Sequence, residues 1–193
     1  MQDFGLYFSL GREHIADLSG YDHILFVTAL CLRYLAQDWK KILILVTAFT
    51  VGHSITLALS VFDYIQVSTK WIEFLIPVTI VITALVNVFT YNTQQKSKLS
   101  VIYLLALFFG LIHGLGFSNY LKSLLGKDSN IVSELLAFNI GLEVGQLLIV
   151  VAVMLVSVTC VRLLKIHRRD YLLFVSGAIF GIALIMAIER FPN

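Results

Sequence analysis

The fold of this chain is decided by the stretch Val132–Cys160, which reads VSELLAFNIGLEVGQLLIVVAVMLVSVTC. About 20 mostly apolar residues are enough for a helix to cross the hydrocarbon core of a membrane. This stretch is longer than that, and its only charged residues are Glu134 and Glu143. It therefore predicts a transmembrane helix that is long enough to tilt and that carries two carboxylates.

The composition of the whole chain indicates an integral membrane protein. Of its 193 residues, 59% are hydrophobic and only 13% are charged, whereas soluble domains contain about 25% charged residues. The formal net charge of +2 is too small for a nucleic-acid-binding surface. The two cysteines, Cys31 and Cys160, lack a zinc-binding spacing, and no Walker A sequence for ATP is present.

Further apolar stretches of membrane-spanning length lie along the chain, separated by short polar connections. Together they predict an all-α, polytopic membrane helical bundle of about six transmembrane helices, in a single transmembrane domain over residues 1–193. The predicted helices cover approximately residues 18–35, 42–61, 72–90, 101–120, 132–160 and 171–188.

The distribution of Lys and Arg predicts the orientation of this bundle. The loops after the first, third and fifth predicted helices hold nine of these residues, and the opposite side holds five. Because basic loops remain in the cytoplasm, we expect both termini outside the cell. The three basic loops should then face the cytoplasm and contact anionic membrane lipid.

Four of the predicted helices carry polar groups of a kind that is rare inside membranes. These groups are Asp22 and His23 in the first, His53 in the second, His113 in the fourth, and Asn139 with Glu143 in the fifth. Ionisable residues in lipid are costly and by default indicate function. In the predicted orientation all of them fall between the outer interface and the midplane, so we expect one shared polar layer.

The residue types in this layer suit a divalent cation. Ionised Asp22 and Glu143 would balance its charge, and His23, His53 and His113 would supply nitrogen ligands. Such nitrogen and oxygen donors favour nickel, zinc or cobalt. The lack of nearby thiolates and methionines argues against copper(I).

Other polar residues are predicted to lie around these ligands, either as further ligands or as residues that support them. Asn139 offers a carbonyl oxygen or orients another ligand. His14, ahead of the first predicted helix, is interpreted as a further ligand or an entry residue, and Gln146 and Ser54 as supporting residues.

Each of these residues also has a purely structural interpretation. A single intramembrane histidine can be a hydrogen-bonded packing residue, although three at one depth with two carboxylates favour a metal site. Glu73 and Asp17 are interpreted as solvated or helix-capping residues, and His167 as a contact to lipid headgroups or solvent.

Two functions compete at this point. The leading hypothesis is a secondary permease for a divalent transition metal, because transporters bind their cargo within the membrane where helices are broken. The alternative is an intramembrane zinc-dependent hydrolase that acts on a lipid or another apolar substrate. In that case Glu143 or Asp22 would be the general base, with Ser54 beside His53. A third reading is a metal sensor or metallochaperone that works with another membrane protein.

Four motifs resemble those of the HupE/UreJ family, in the family's order and over nearly the whole chain. They are GYDHILF at Gly20–Phe26, FTVGHSITL at Phe49–Leu57, FGLIHGLGF at Phe109–Phe117 and FNIGLEVGQ at Phe138–Gln146. In the nickel-linked members of the family, five residues separate the corresponding His from Asp-His, and a His-Gly pair is repeated in one helix. Here seven residues separate His14 from Asp22, and the His113-Gly114 pair is not repeated, so the chain resembles the family's second branch. The resemblance implies a bacterial inner-membrane protein linked to nickel, as a permease or as an accessory factor for hydrogenase or urease.

Overall fold

The computed structural model describes residues 2–91, 99–125 and 130–192, and within these ranges the chain is helical without strands. Its helices are α1 (Gln2–Ile15), α2 (Asp22–Cys31), α3 (Trp39–Val61), α4 (Thr69–Thr90), α5 (Leu99–Leu124), α6 (Ile131–Val158) and α7 (Arg168–Glu189). A 3₁₀ turn, Ala36–Asp38, precedes α3, and a π-helical turn, Thr159–Leu163, follows α6. The all-α prediction is confirmed.

Among the described residues, the five helices α3 to α7 are long and apolar enough to cross a membrane. Their bounds lie close to the predicted ranges 42–61, 72–90, 101–120, 132–160 and 171–188. With the π-helical turn, α6 forms a 33-residue apolar stretch, Ile131–Leu163. The predicted polytopic membrane bundle is thereby confirmed.

The structure differs from the prediction at the first apolar segment, residues 18–35. Its helix, α2, has only 10 residues and is about 15 Å long, half the thickness of a membrane core. The preceding helix α1 was not predicted from hydropathy because it contains Arg12 and Glu13. A non-helical segment, Ala16–Tyr21, separates α1 from α2. Within residues 18–35 the structure thus has a short helix instead of a spanning one, and α1 lies ahead of the predicted range.

Glycines bring α3 and α5 into backbone contact. A Cβ atom at Gly52 would clash with the carbonyl oxygen of Leu107, and one at Gly114 with the carbonyl oxygen of His53. Small residues at such positions are what allow helices to approach closely in membranes. Because His53 follows Gly52 and His113 precedes Gly114, this crossing brings the two histidines to the same level of the bundle.

A second glycine crossing joins α1 to α6. A Cβ atom at Gly11 would clash with the carbonyl oxygen of Phe138, and one at Gly141 with the carbonyl oxygen of Phe8. His14 lies one helical turn beyond Gly11, so the crossing sets this histidine against the middle of α6. Because of the two glycine crossings, His14, His53 and His113, which come from separate parts of the chain, lie in one interior region.

Candidate metal centre

Three histidines from three helices meet in the interior, and we call them the histidine group: His14, His23 and His53. His14 lies in the last turn of α1, His23 in the first turn of α2 and His53 within α3. The ring centroids are 4.7 Å apart for His14 and His23, 6.0 Å for His14 and His53, and 6.2 Å for His23 and His53. One ring nitrogen from each residue lies within 4.8 Å of the other two.

The ring nitrogens of the histidine group are available to bind a cation. His14 Nε2, His23 Nε2 and both ring nitrogens of His53 are buried and lack a hydrogen-bond partner among the described residues. Leaving such atoms unpaired is costly, and a bound metal ion would remove that cost. Tetrahedral ligands about 2.1 Å from a zinc ion are about 3.4 Å apart. Small side-chain rotations would therefore close the group around one ion.

Asp22 orients His23 within the group. Its Oδ1 lies 3.1 Å from His23 Nδ1, and from this contact we assign the proton to Nδ1 and leave Nε2 as the free nitrogen. Its Oδ2 accepts a hydrogen bond from Arg190 Nη1 at 3.2 Å. Both carboxylate oxygens are thus engaged, in the carboxylate–histidine arrangement that accompanies metal ligands.

His113 lies beside the histidine group and offers a fourth nitrogen. Its ring centroid is 5.1 Å from that of His23, and its Nε2 is 3.0 Å from Thr79 Oγ1. The Thr79 hydroxyl donates its own proton to the carbonyl oxygen of Ile76 at 2.7 Å, so it accepts one from Nε2. The lone pair of His113 therefore lies on Nδ1, which is buried and has no partner among the described residues.

Phenylalanine side chains pack against these histidine rings. The Phe117 ring lies 3.8 Å from that of His14, and the Phe138 ring lies 6.4 Å from that of His53. Burial, together with the neighbouring His23 and His53, lowers the pKa of His14 well below its usual value. His14 is therefore neutral near pH 7 and presents a lone pair rather than a positive charge.

A cleft of about 490 Å³ connects the rings of His14, His23 and His113 with the protein surface. Its charged and histidine lining residues are His14, Asp17, Asp22, His23, Glu73, His113 and Arg190. Three of these side chains are carboxylates and one is an arginine, so the described lining carries a negative balance. Asp17 and Glu73 are exposed at its mouth. Clefts of one charge sign concentrate ions of the opposite sign, so this cleft favours the approach of cations.

A separate set of polar contacts, which we call the polar seam, joins α3 to α6. It consists of Thr47, Thr50 and Ser54 on α3 with Asn139, Glu143 and Gln146 on α6. Thr47 Oγ1 donates to Glu143 Oε1 at 2.6 Å, and Thr50 Oγ1 donates to Gln146 Oε1 at 2.6 Å. Ser54 Oγ lies 2.7 Å from Asn139 Oδ1. The seam therefore extends along α3 away from His53.

Within the polar seam, both the oxygen and the nitrogen of the Asn139 side chain are hydrogen-bonded, whereas only one carboxylate oxygen of Glu143 is. Asn139 Nδ2 also donates to the carbonyl oxygen of Leu135 at 2.8 Å. Glu143 Oε2, in contrast, is buried and has no partner among the described residues. Thr47, its contact on α3, precedes His53 by six residues, which places Glu143 about 9 Å along the helix from His53.

The structure thus divides the predicted site residues between two places. It brings together His14, His23, His53, His113 and Asp22 around one region. It places Asn139, Glu143, Gln146 and Ser54 in the polar seam. The assignment of these residues as ligands stays a prediction in both places.

Four residues of the centre were not predicted as part of it: Asp17, Glu73, Thr79 and Arg190. Asp17 and Glu73 were interpreted as capping or solvated residues, yet both line the cleft. No sequence pattern relates Thr79 to His113, because hydroxyl side chains are common in membrane helices. Arg190 follows the last helix, and no local pattern relates it to Asp22, 168 residues away along the chain.

Comparison with known proteins agrees with the motifs. The family of HupE / UreJ proteins matches residues 1–190. The chain belongs to this family. No curated protein and no solved structure matches it. The HupE/UreJ match covers every helix and every residue of both polar regions described above, and the predicted resemblance is confirmed.

Proposed function

We propose that this HupE/UreJ protein is a secondary permease for a divalent transition metal, namely nickel, cobalt or zinc, in the bacterial inner membrane. The observation that carries the proposal is the histidine group, whose unpaired nitrogens lie within 4.8 Å of one another, with His14 and His23 in the lining of a cleft that carries a negative balance. Neutral imidazole nitrogens suit these three metals. The link of the family to nickel is consistent with this cargo.

The entry route follows the charges of the cleft. A hydrated cation is attracted by Asp17 and Glu73 at the mouth and exchanges water for the nitrogens of the histidine group. Asp22, which is paired with Arg190, orients the His23 ring without itself coordinating the metal ion. The break between α1 and α2 lies beside the group. Transporters use such breaks in membrane helices to build and open their binding sites.

The exit route follows the polar seam. Glu143 offers an unpaired carboxylate oxygen about 9 Å along the helix from His53, with Gln146 Nε2 also lacking a partner among the described residues. An ion that leaves the histidines would meet these groups next. Glu143 is therefore assigned to transfer of the ion rather than to its first binding.

Metal uptake into proteoliposomes tests the proposal, with nickel, cobalt and zinc supplied separately. We expect His53→Ala to abolish both binding and uptake, because it removes a ligand. Glu143→Gln should slow uptake while binding of the metal is retained. His167→Ala is the matched control, since this histidine is exposed at the start of α7, and it should transport like the unmodified protein.

The opposite result would favour the hydrolase. If the purified protein retains one metal ion per chain and moves none across the bilayer, the permease proposal fails. Elemental analysis after purification gives this stoichiometry. A firmly held zinc ion on three histidines with an open position would instead activate water.

A further inference from the structure

A second polar cavity, of about 370 Å³, lies at the end of the bundle opposite the histidine group. It is formed where α2 and α4 end and α7 begins. Its charged lining residues are Arg33, Arg168 and Arg169, and Asn87 and Tyr91 lie between them. We call it the arginine pocket. None of the residues assigned to the proposed metal route lines this cavity.

The charged side chains in the described lining of the arginine pocket are all positive; Asp38, outside the lining, interacts with Arg168 electrostatically and is itself paired with Lys41 at 2.6 Å. No carboxylate is among its described lining residues. Arg168 donates one hydrogen bond to the carbonyl oxygen of Arg33 at 2.7 Å, and the guanidinium of Arg169 lies 5.0 Å from the centre of the Tyr91 ring. These contacts fix the two guanidinium groups and leave further N–H donors on each. The amino end of α7 adds partial positive charge at the same place.

An apolar groove continues from the arginine pocket, and Arg33 and Asn87 line both cavities. The groove runs between α4 and α5, and its apolar lining includes Ile82, Val86, Leu105, Ala106 and Phe109. Ile82 and Leu105 are 43% and 44% exposed on the outer surface of the bundle. The groove has a volume of about 60 Å³, so it accommodates a short part of an acyl chain of the bilayer.

Two unpaired polar atoms lie in the groove lining. Asn87 is 1% exposed, and its Oδ1 has no hydrogen-bond partner among the described residues, although its Nδ2 donates to the carbonyl oxygen of Ala29. The buried hydroxyl of Tyr34 also lacks a partner within those residues. Both side chains line the apolar groove, and Asn87 lines the pocket as well. Buried polar atoms without a protein partner are generally satisfied by a bound water, ion or ligand.

We propose that this composite cavity binds one anionic phospholipid. Its phosphate lies in the arginine pocket, where guanidinium groups bind phosphate oxygens in pairs. Part of one acyl chain occupies the apolar groove, and the Tyr34 hydroxyl donates a hydrogen bond to an ester oxygen between the phosphate and the chain. Free phosphate shares the first contact only. The apolar groove is what assigns the site to a lipid, in agreement with the lipid specificity of basic pockets between membrane helices.

Lipid binding to the full chain in detergent tests this inference. Native mass spectrometry counts the bound molecules, and thermal unfolding is measured with phosphatidylglycerol, phosphatidylcholine or inorganic phosphate. We expect one tightly bound phosphatidylglycerol, at least about tenfold weaker binding of phosphatidylcholine, and no stabilisation by inorganic phosphate. Equal stabilisation by inorganic phosphate would overturn the lipid assignment. Equal binding of the two lipids would overturn the role of the arginines.

Two pairs of variants separate headgroup from chain. Arg168→Gln/Arg169→Gln should weaken phosphatidylglycerol about fivefold per arginine, whereas Arg162→Gln/Lys165→Gln, an equal charge change at exposed sites outside the cavity, should not. Leu105→Trp should exclude the chain without altering charge. Leu104→Trp, at a neighbouring position that is 65% exposed and outside the groove lining, is its control. Unchanged binding in Leu105→Trp would contradict the proposal even if the arginine variants unfold.

Discussion

At the level of single residues, Asp22 is predicted from the sequence to be a ligand. In the structure its carboxylate oxygens contact His23 and Arg190, and from these contacts we propose that it orients His23. Removing a carboxylate that orients a metal-bound histidine typically costs about 10–100-fold in affinity. We therefore expect Asp22→Asn to weaken metal binding by that factor in isothermal titration calorimetry, and to change the absorption spectrum of bound cobalt only slightly.

The control for Asp22 is Asp170→Asn, the same change at an exposed residue in the first turn of α7. It should leave metal affinity unaltered. If Asp22→Asn instead abolishes the absorption of bound cobalt, as His53→Ala is expected to do, then Asp22 is itself a ligand and the sequence-based assignment holds.

The pH dependence of binding follows from the burial of His14. Because the neutral ring binds metal, a lowered pKa keeps the ligand competent to more acidic pH. We expect affinity to stay constant as pH falls through about 6.5, the ordinary histidine pKa, and to decrease only at lower pH. Isothermal titration calorimetry of metal binding in buffers of different ionisation enthalpy counts the protons released by the protein. It should show few protons released near pH 7. A decline that begins near 6.5 would mean that His14 is solvated before the ion binds.

Histidines were predictable from the sequence, and their partners were not. His23, His53 and His113 are conspicuous because ionisable residues are rare in apolar helices. Arg190 and Thr79 are ordinary residues by type, and only the packing of α7 and α4 brings them to Asp22 and His113. A sequence reports which groups are costly to bury, but their partners are determined by contacts between distant segments.

At the level of helices, the glycine crossings determine how close the histidines come. Gly52→Ala would drive a methyl group into the carbonyl oxygen of Leu107, and overpacking of this kind costs about 1–3 kcal/mol. We expect Gly52→Ala to lower the free energy of unfolding by that amount in detergent and to weaken metal binding, because α3 and α5 must separate.

Gly177 on α7 supplies the matched comparison. A Cβ atom there would have no neighbour within 4 Å, so Gly177→Ala should be neutral or stabilising by up to about 1 kcal/mol, the ordinary preference of a helix for alanine. Equal destabilisation by the two substitutions would show that the crossing is looser than the structure indicates.

The same helices show where hydropathy succeeds as a guide and where it fails. α3 to α7 were predicted because each is apolar for the full thickness of a membrane. In the first segment, α2 is shorter than predicted, and α1, which lies ahead of the predicted range, was not predicted, since an averaged apolar window registers neither a charged helix nor a turn such as Ala16–Tyr21. Because the chain turns at this break, His14 of α1 lies beside His23 of α2. The part of the fold that was hardest to predict therefore positions two of the three residues of the histidine group.

At the level of the whole molecule, the metal cleft and the arginine pocket lie at opposite ends of one bundle. Arg190 at the end of α7 reaches Asp22, whereas Arg168 at its beginning lies in the arginine pocket. The excess of Lys and Arg predicts that the arginine end is cytoplasmic. Of the residues counted for that excess, Lys96, Lys98 and Lys127 lie outside the described residues. The direction of transport depends on this orientation, because it decides which solution fills the cleft.

Cysteine labelling of intact cells tests the orientation. In a Cys160→Ser background, with buried Cys31 retained, Ser68→Cys should react with a membrane-impermeant maleimide from outside, because residue 68 is exposed at the cleft end of α4. Ile166→Cys, 39% exposed in the loop before α7, should react only after permeabilisation. The reverse pattern would turn the cleft toward the cytoplasm. The same histidine group would then load from inside, and the protein would be an exporter of the metal instead of an importer.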